Sequence, residues 1–172
     1  FKTPDREGFA IYLDTPLNYA VFSIFTRRGN EFPFKRLEDL YGKKIGINMG
    51  YSISPDLNHE KHAGKIFISE FYTTRECLNA LMTQRIDAYA GNRDSILFRI
   101  KKRGIGHNIS FLPRAITRPR PVYLMFSRTR ILKDKHNSVI LKLNRELKKM
   151  WETKIIDKIT SRYIDPQMIY AH

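Results

Sequence analysis

Cysteine is almost absent. The chain of 172 residues has one, Cys77, which excludes an internal disulfide framework. Beside Leu78 on a helical stretch, and tied by no motif to a His or Asn, it reads as a packed thiol rather than a nucleophile. Long apolar runs are missing too; none approaches the roughly 18 residues of a membrane span. Phe1-Lys2-Thr3-Pro4-Asp5 has no apolar segment of signal-peptide type behind it, and an opening on Phe1 leads one to expect a processed or trimmed product. There is no Walker-type phosphate loop and no nucleophile elbow. His59-Glu60-Lys61-His62 lacks the His-Glu-x-x-His spacing of a zinc protease, so no metal site is expected, and no cofactor motif is present. No repeat and no low-complexity segment occurs.

Acidic residues are scarce beside basic ones, 17 against 31, for a net charge of +14. A surplus of that size fits either a nucleic-acid or polyanion binder or a basic, solvated exterior. The cations are spread over Arg27-Arg28, Lys43-Lys44, Arg99–Arg103, Arg114–Arg130 and Lys142–Lys149. Only Lys101-Lys102-Arg103 is dense, and it closes a helix, where the macrodipole favours cations. The solvated exterior is therefore preferred, no nucleic acid is expected as partner, and the polyanion binder is kept as an alternative.

What is present is a globular composition, 42% apolar and 12% aromatic, with length for one domain or two small lobes. Ala20–Thr26 reads as a strand, and Phe34–Tyr41 as a short helix stopped by Gly42. Lys43–Met49 alternates as a strand and runs into the loop Gly50-Tyr51-Ser52-Ile53. Ser54-Pro55-Asp56 has the cap, proline and acid of a helix start. Lys65–Phe71 is a second strand, and Thr73 with Glu76 forms a capping box for a helix burying Cys77, Leu78, Leu81 and Met82. Ile86–Ala90 is a third strand; Asn92–Lys102 is a helix ended by Gly104. Ile109–Leu112 and Val122–Phe126 are further strands, separated by an extended Thr117–Pro121. Ser138–Trp151 is the clearest helix, with Val139, Ile140, Leu143, Leu147, Met150 and Trp151 on one stripe, and a short helix with Ile155, Ile156 and Ile159 follows. Strands alternate with helices from residue 43 to 112, the pattern of an α/β lobe that offers backbone N–H groups to a ligand. Chain crossings near 26–30 and 116–121 suggest a hinged, two-lobe molecule with a ligand cleft.

The chain resembles the bacterial extracellular solute-binding proteins of family 3, polar amino-acid receptors of type II periplasmic-binding fold. Thr3-Pro4-Asp5-Arg6 resembles their T-x-x-R segment, and Asp39-Leu40-Tyr41-Gly42-Lys43-Lys44-Ile45-Gly46, with Gly50, their D-L-x-G-K-x-V-G … G-S segment. Leu81 with Arg85-Ile86-Asp87-Ala88 resembles A-L-x-x-G-R-x-D-A, and Asn144–Leu147 followed by Ile156, Ile159 and Tyr163 the C-terminal ending. The resemblance implies an α/β fold with 1–26 as a partial first lobe, 27–119 as a complete second lobe and 120–172 as a return to the first, the larger part of which precedes this chain in the family.

It also implies a site. Arg6 would clamp an α-carboxylate, which suits a bidentate guanidinium. Gly50, Tyr51 and Ser52 would hold the same group with N–H donors and a hydroxyl, although Ser52 or Ser54 also serves as a helix cap. The family's ammonium-binding Asp, five residues after the Asp of its D-A pair, is Asn92 here, which cannot form the ion pair but can accept a hydrogen bond, and is also a favoured N-cap. A carboxylate or other small anion is then as well suited as an amino acid. Tyr12 and Tyr19 read as ligand-stacking or core aromatics. The expected role is that of a non-enzymatic, extracytoplasmic or periplasmic solute-binding protein delivering an amino acid or carboxylate to an ABC-type transporter permease. The alternatives are the sensor domain of a membrane-bound receptor, the polyanion binder, and, more remotely, a dehydratase of the same fold.

Overall fold

In the computed structural model, residues 1–129 and 137–164 are described. They divide into two units: residues 1–20 with those from 119 onward, and residues 21–118.

The unit of residues 21–118 is built on a five-stranded sheet. Its strands are β3 (Phe22–Arg27), β4 (Lys44–Asn48), β5 (Phe67–Phe71), β6 (Ala88–Asn92) and β7 (Ile109–Phe111), in the order β5-β4-β6-β3-β7. β4 runs parallel to both β5 and β6, while β3 is antiparallel to β6 and β7. The crossovers are helical: α2 (Pro55–His62) between β4 and β5, α3 (Thr74–Met82) between β5 and β6, and α4 (Arg93–Arg103) after β6. Near-continuous burial of β3 and β6 explains why their sequences, Phe22-Ser23-Ile24-Phe25-Thr26 and Ala88-Tyr89-Ala90-Gly91, do not alternate in polarity. Cys77, Leu78 and Leu81 from α3 and Ile96, Leu97 and Ile100 from α4 complete this core. Gly91 is required by packing: a Cβ there would lie 2.8 Å from Ile96 Cδ1.

The other unit holds α1 (Pro4–Glu7) and two antiparallel strand pairs, β1 (Ala10–Tyr12) with β9 (Met125–Ser127) and β2 (Asn18–Ala20) with β8 (Arg120–Val122). Two helices follow, α5 (Asn137–Glu152) and α6 (Ile155–Tyr163). Leu13, Ile140 and Leu147 form a small core with Ile11, Phe126, Met150, Trp151 and Ile156 around it. Polar clamps hold α5: Asn144 Oδ1 accepts the Asp14 N–H at 2.9 Å, and Trp151 Nε1 donates to the Pro16 carbonyl at 2.7 Å.

Three expectations change. Phe34–Tyr41 contains only a 3-10 turn, Leu37–Leu40, fastened by Asp39, whose carboxylate accepts from the Lys35 and Arg36 N–H groups. Val122–Phe126 is not one strand, because β8 and β9 pair with different partners, so the chain breaks at Tyr123-Leu124. The third strand starts at Ala88 rather than Ile86. The two compact units divide at Ala20 and Arg118, with β3 an inner strand of the five-stranded sheet.

Candidate functional site

β4, β5 and β6 run in parallel, so all three leave the sheet at one edge, and each is followed there by a helix. The N-termini of α2, α3 and α4 thus gather on that edge, with first-turn N–H groups and the positive ends of three macrodipoles. Each helix satisfies one of its free donors by a side-chain cap. Ser54 Oγ accepts from Leu57 N at 3.1 Å, Thr73 Oγ1 from Glu76 N at 3.2 Å, and Asn92 Oδ1 from Ser95 N at 2.9 Å. Arg93 N, the first donor of α4, is also taken, by the Val21 carbonyl at 2.8 Å. The carboxyl edge of parallel strands is where α/β sheets bind ligands.

Gly50, Tyr51 and Ser52 form the loop on this edge. Met49 N donates to the Phe71 carbonyl at 2.8 Å, which carries the pairing one residue past β4, and Tyr51 N donates to the Asn48 carbonyl at 3.1 Å to close the turn. The turn needs a left-handed residue at its centre, and Gly50 has φ +75°. No atom lies within 4 Å of the Cβ it lacks, so a ligand can come directly onto the backbone. Ser52 Oγ accepts from Asn58 Nδ2 at 2.9 Å, which leaves its own proton to donate. Glu70 stands nearby as a competing anion. Its pKa is held below the usual carboxylate range chiefly by Lys61, which donates to it at 2.8 Å, with a smaller contribution from the Gly50 N–H.

Asn92 ends β6 on the same edge as Gly50. Its Oδ1 accepts from Ser95 N, which leaves Nδ2 to donate and one lone pair of Oδ1 to accept, but no charge to pair with an ammonium. The structure therefore brings Gly50, Tyr51, Ser52 and Asn92 to one edge of one unit. Arg6 belongs to the other unit, on α1, where it is exposed and its Nη1 donates to the Phe1 carbonyl at 3.1 Å. Tyr12 and Tyr19 pack edge-on against Tyr123 and Trp151, at centroid distances of 6.4 and 5.9 Å, Tyr12 half-buried and Tyr19 exposed.

Tyr89 is a residue the sequence did not flag. Buried on β6, it donates its hydroxyl proton to Asn48 Oδ1 at 2.6 Å, and its oxygen lies 3.4 Å from the Thr74 hydroxyl, tying β6 to the end of β4 and the start of α3. Burial pushes its phenol pKa well up. Its signal was a tyrosine in the small-residue strand Ala88-Tyr89-Ala90-Gly91, where a hydroxyl needs a partner. Tyr72 was also missed, because a single exposed aromatic carries no periodicity. It is 78% exposed and follows β5 on the edge.

Among the described residues no group of three or more His, Cys, Asp or Glu side chains is gathered for a metal, and His62 Nδ1 is paired with the Asn58 carbonyl at 2.7 Å. Cys77 is buried, and burial pushes its thiol up to about 12, so it presents no thiolate at neutral pH.

Known proteins share this fold. The chain is 25% identical over 150 residues, 87% of its own length, to the "Probable amino-acid-binding protein YxeM" of Bacillus subtilis (strain 168). Among solved structures it is similar to the ligand-binding core of GluR0 from Nostoc punctiforme in complex with L-glutamate, with a TM-score of 0.66 and 19% identity over 96% of this chain and 70% of that one. It is also similar to an arginine 3rd transport system periplasmic binding protein from Legionella pneumophila, with a TM-score of 0.65 and 16% identity over 94% of this chain and 68% of that one. The likeness shows the fold, the type II periplasmic-binding fold. No family model matches the chain. It spans 54% of the length of the curated relative, about half. Within this solute-binding fold, residues 21–118 supply the five-stranded sheet and its loop edge. No helix among the described residues is long and apolar enough to cross a membrane.

Proposed function

We propose that this chain is the ligand-capturing part of a solute-binding protein for an amino acid or small carboxylate. The observation that carries the reading is the edge of the sheet: Gly50 opens the backbone to close approach, Ser52 has a hydroxyl proton to give, and helix N-termini gather beside them. Donors converge there, which is the chemistry of carboxylate recognition. The relatives' names support it, since one is an amino-acid-binding protein and others were solved with, or named for, glutamate and arginine.

Asn92 narrows the solute. Its Nδ2 can donate to a second carboxylate or a carboxamide, while a neutral side chain offers an ammonium no ion pair. Arg6, the carboxylate clamp by resemblance, is part of the same proposal. The role is binding rather than catalysis, with delivery to an ABC-type transporter in an extracytoplasmic setting. The GluR0 likeness favours one second reading, the ligand-sensing domain of a membrane-bound receptor, which uses the same site.

Thermal unfolding in the presence of L-glutamate, L-glutamine, L-arginine, succinate and heparin tests this. A solute at about 100 times its Kd adds roughly 2.7 kcal/mol to stability. Stabilisation by one small carboxylate-bearing solute, lost in Arg6→Ala and in Ser52→Ala, is the expected result. Stabilisation by heparin alone would replace it with the polyanion binder.

A further inference from the structure

A second concave surface lies on the unit of residues 21–118, a groove of about 830 Å³ along α3 and α4 that opens toward Tyr51 and Tyr72. Four cations line it: Arg75, Arg99, Lys102 and Arg103. Among the described residues, no Asp or Glu does. Arg99, Lys102 and Arg103 stand three and four positions apart on α4, so they share a face, where like charges destabilise a helix. The macrodipole accounts for Lys102 and Arg103 in the last turn of α4, but it opposes Arg75 in the first turn of α3. Neither Arg75 nor Lys102 has an ion pair among the described residues. The contacts of the other two leave their charges uncompensated. Arg103 Nη2 donates to the neutral Asn79 Oδ1 at 2.9 Å, and Arg99 lies over the Phe98 ring, 5.8 Å from its centroid. Four unneutralised cations in one groove with exposed aromatic rings at its mouth are a repulsive arrangement that packing does not explain.

We propose that this groove binds a small, multiply charged phosphate. Guanidinium forks match phosphate oxygens in bidentate pairs, the lysine adds a point charge, and the first-turn N–H groups of α3 extend the donor set. Such a phosphate is either a bare chain or the tail of a nucleotide, whose base would stack on Tyr72. Tyr51, Tyr72 and the start of α3 with Arg75 border both this groove and the strand-end edge, while Arg99, Lys102 and Arg103 belong to the groove alone.

The test is calorimetric titration of the full chain with ATP and with tripolyphosphate, both without divalent metal. Arg99→Gln/Lys102→Gln is compared with Lys142→Gln/Lys148→Gln, a control of equal charge on α5. The expected result is an affinity loss of about tenfold or more in the groove variant, 1.4 kcal/mol per tenfold, with little change in the control. A preference for ATP that disappears in Tyr72→Ala identifies a nucleotide; equal affinity for both probes, insensitive to Tyr72, identifies the phosphate chain. Equal losses in groove and control variants would overturn the proposal in favour of diffuse attraction by the +14 charge, and so would the absence of binding by either probe.

Discussion

At the scale of single residues, the site rests on positions where one atom decides the outcome. Gly50 is one. Its left-handed backbone costs an L side chain roughly 1–2 kcal/mol, with no steric contact to add to that cost. Gly50→Ala is therefore expected to lower unfolding stability by about 1 kcal/mol in chemical denaturation, and to weaken solute binding further by standing off the backbone. Cys77 gives a negative prediction. With its thiol buried and raised to about 12, it should resist a thiol-reactive dye in the native state and react once unfolded, which stopped-flow labelling reads directly. Sequence alone exposed the glycine, since a glycine after an alternating strand points to a turn. It also offered Asn92 as an N-cap, and Asn92 Oδ1 caps α4 by accepting from Ser95 N.

At the scale of elements, local signals were read well and non-local ones were not. Ser54-Pro55, Thr73 with Glu76, and Gly104 are caps whose partners lie within four residues, and all take the expected conformations. The division of Val122–Phe126 into β8 and β9 depends on β2 and β1, about a hundred residues away in the chain, and nothing nearby announces it. The limits of Phe34–Tyr41 are set by the Asp39 carboxylate, which holds two N–H groups in a tight turn instead of a continuing helix. The Thr73 cap predicts that Thr73→Ala costs about 1 kcal/mol, because the Glu76 N–H loses its acceptor. Far-UV circular dichroism melting checks this, and the helix content at low temperature should be unchanged.

At the scale of the whole molecule, charge and packing set the behaviour. Glu60 accepts from the Tyr41 hydroxyl at 2.6 Å and pairs with Lys65 at 3.1 Å, so its pKa is lowered first by the tyrosine and then by the lysine. A carboxylate lowered on folding adds stability above its unfolded value and loses that stability as the pH falls through the folded one. The melting temperature should therefore drop as pH falls below the ordinary glutamate value of 4.5, and less steeply in Glu60→Gln. In a surplus of +14, each such acid is a local neutraliser, which gives the few of them a share in acid resistance out of proportion to their number. The α/β class, the strand–helix alternation and the family resemblance were legible over most of the chain because the parallel strands and their crossovers follow one another in sequence. The groove along α3 and α4 was not, since Arg75 and the α4 cations meet only through packing.

The central claim is that a carboxylate-bearing solute is held at the edge where β4, β5 and β6 end. Amide chemical-shift mapping on the full chain, titrated in turn with L-glutamate, L-glutamine, L-arginine and succinate, tests it most directly. The account predicts saturable shifts for one of these at Gly50, Tyr51, Ser52 and Asn92, absent in Gly50→Ala. Shifts confined to other surfaces, or none with any of the four, would contradict it.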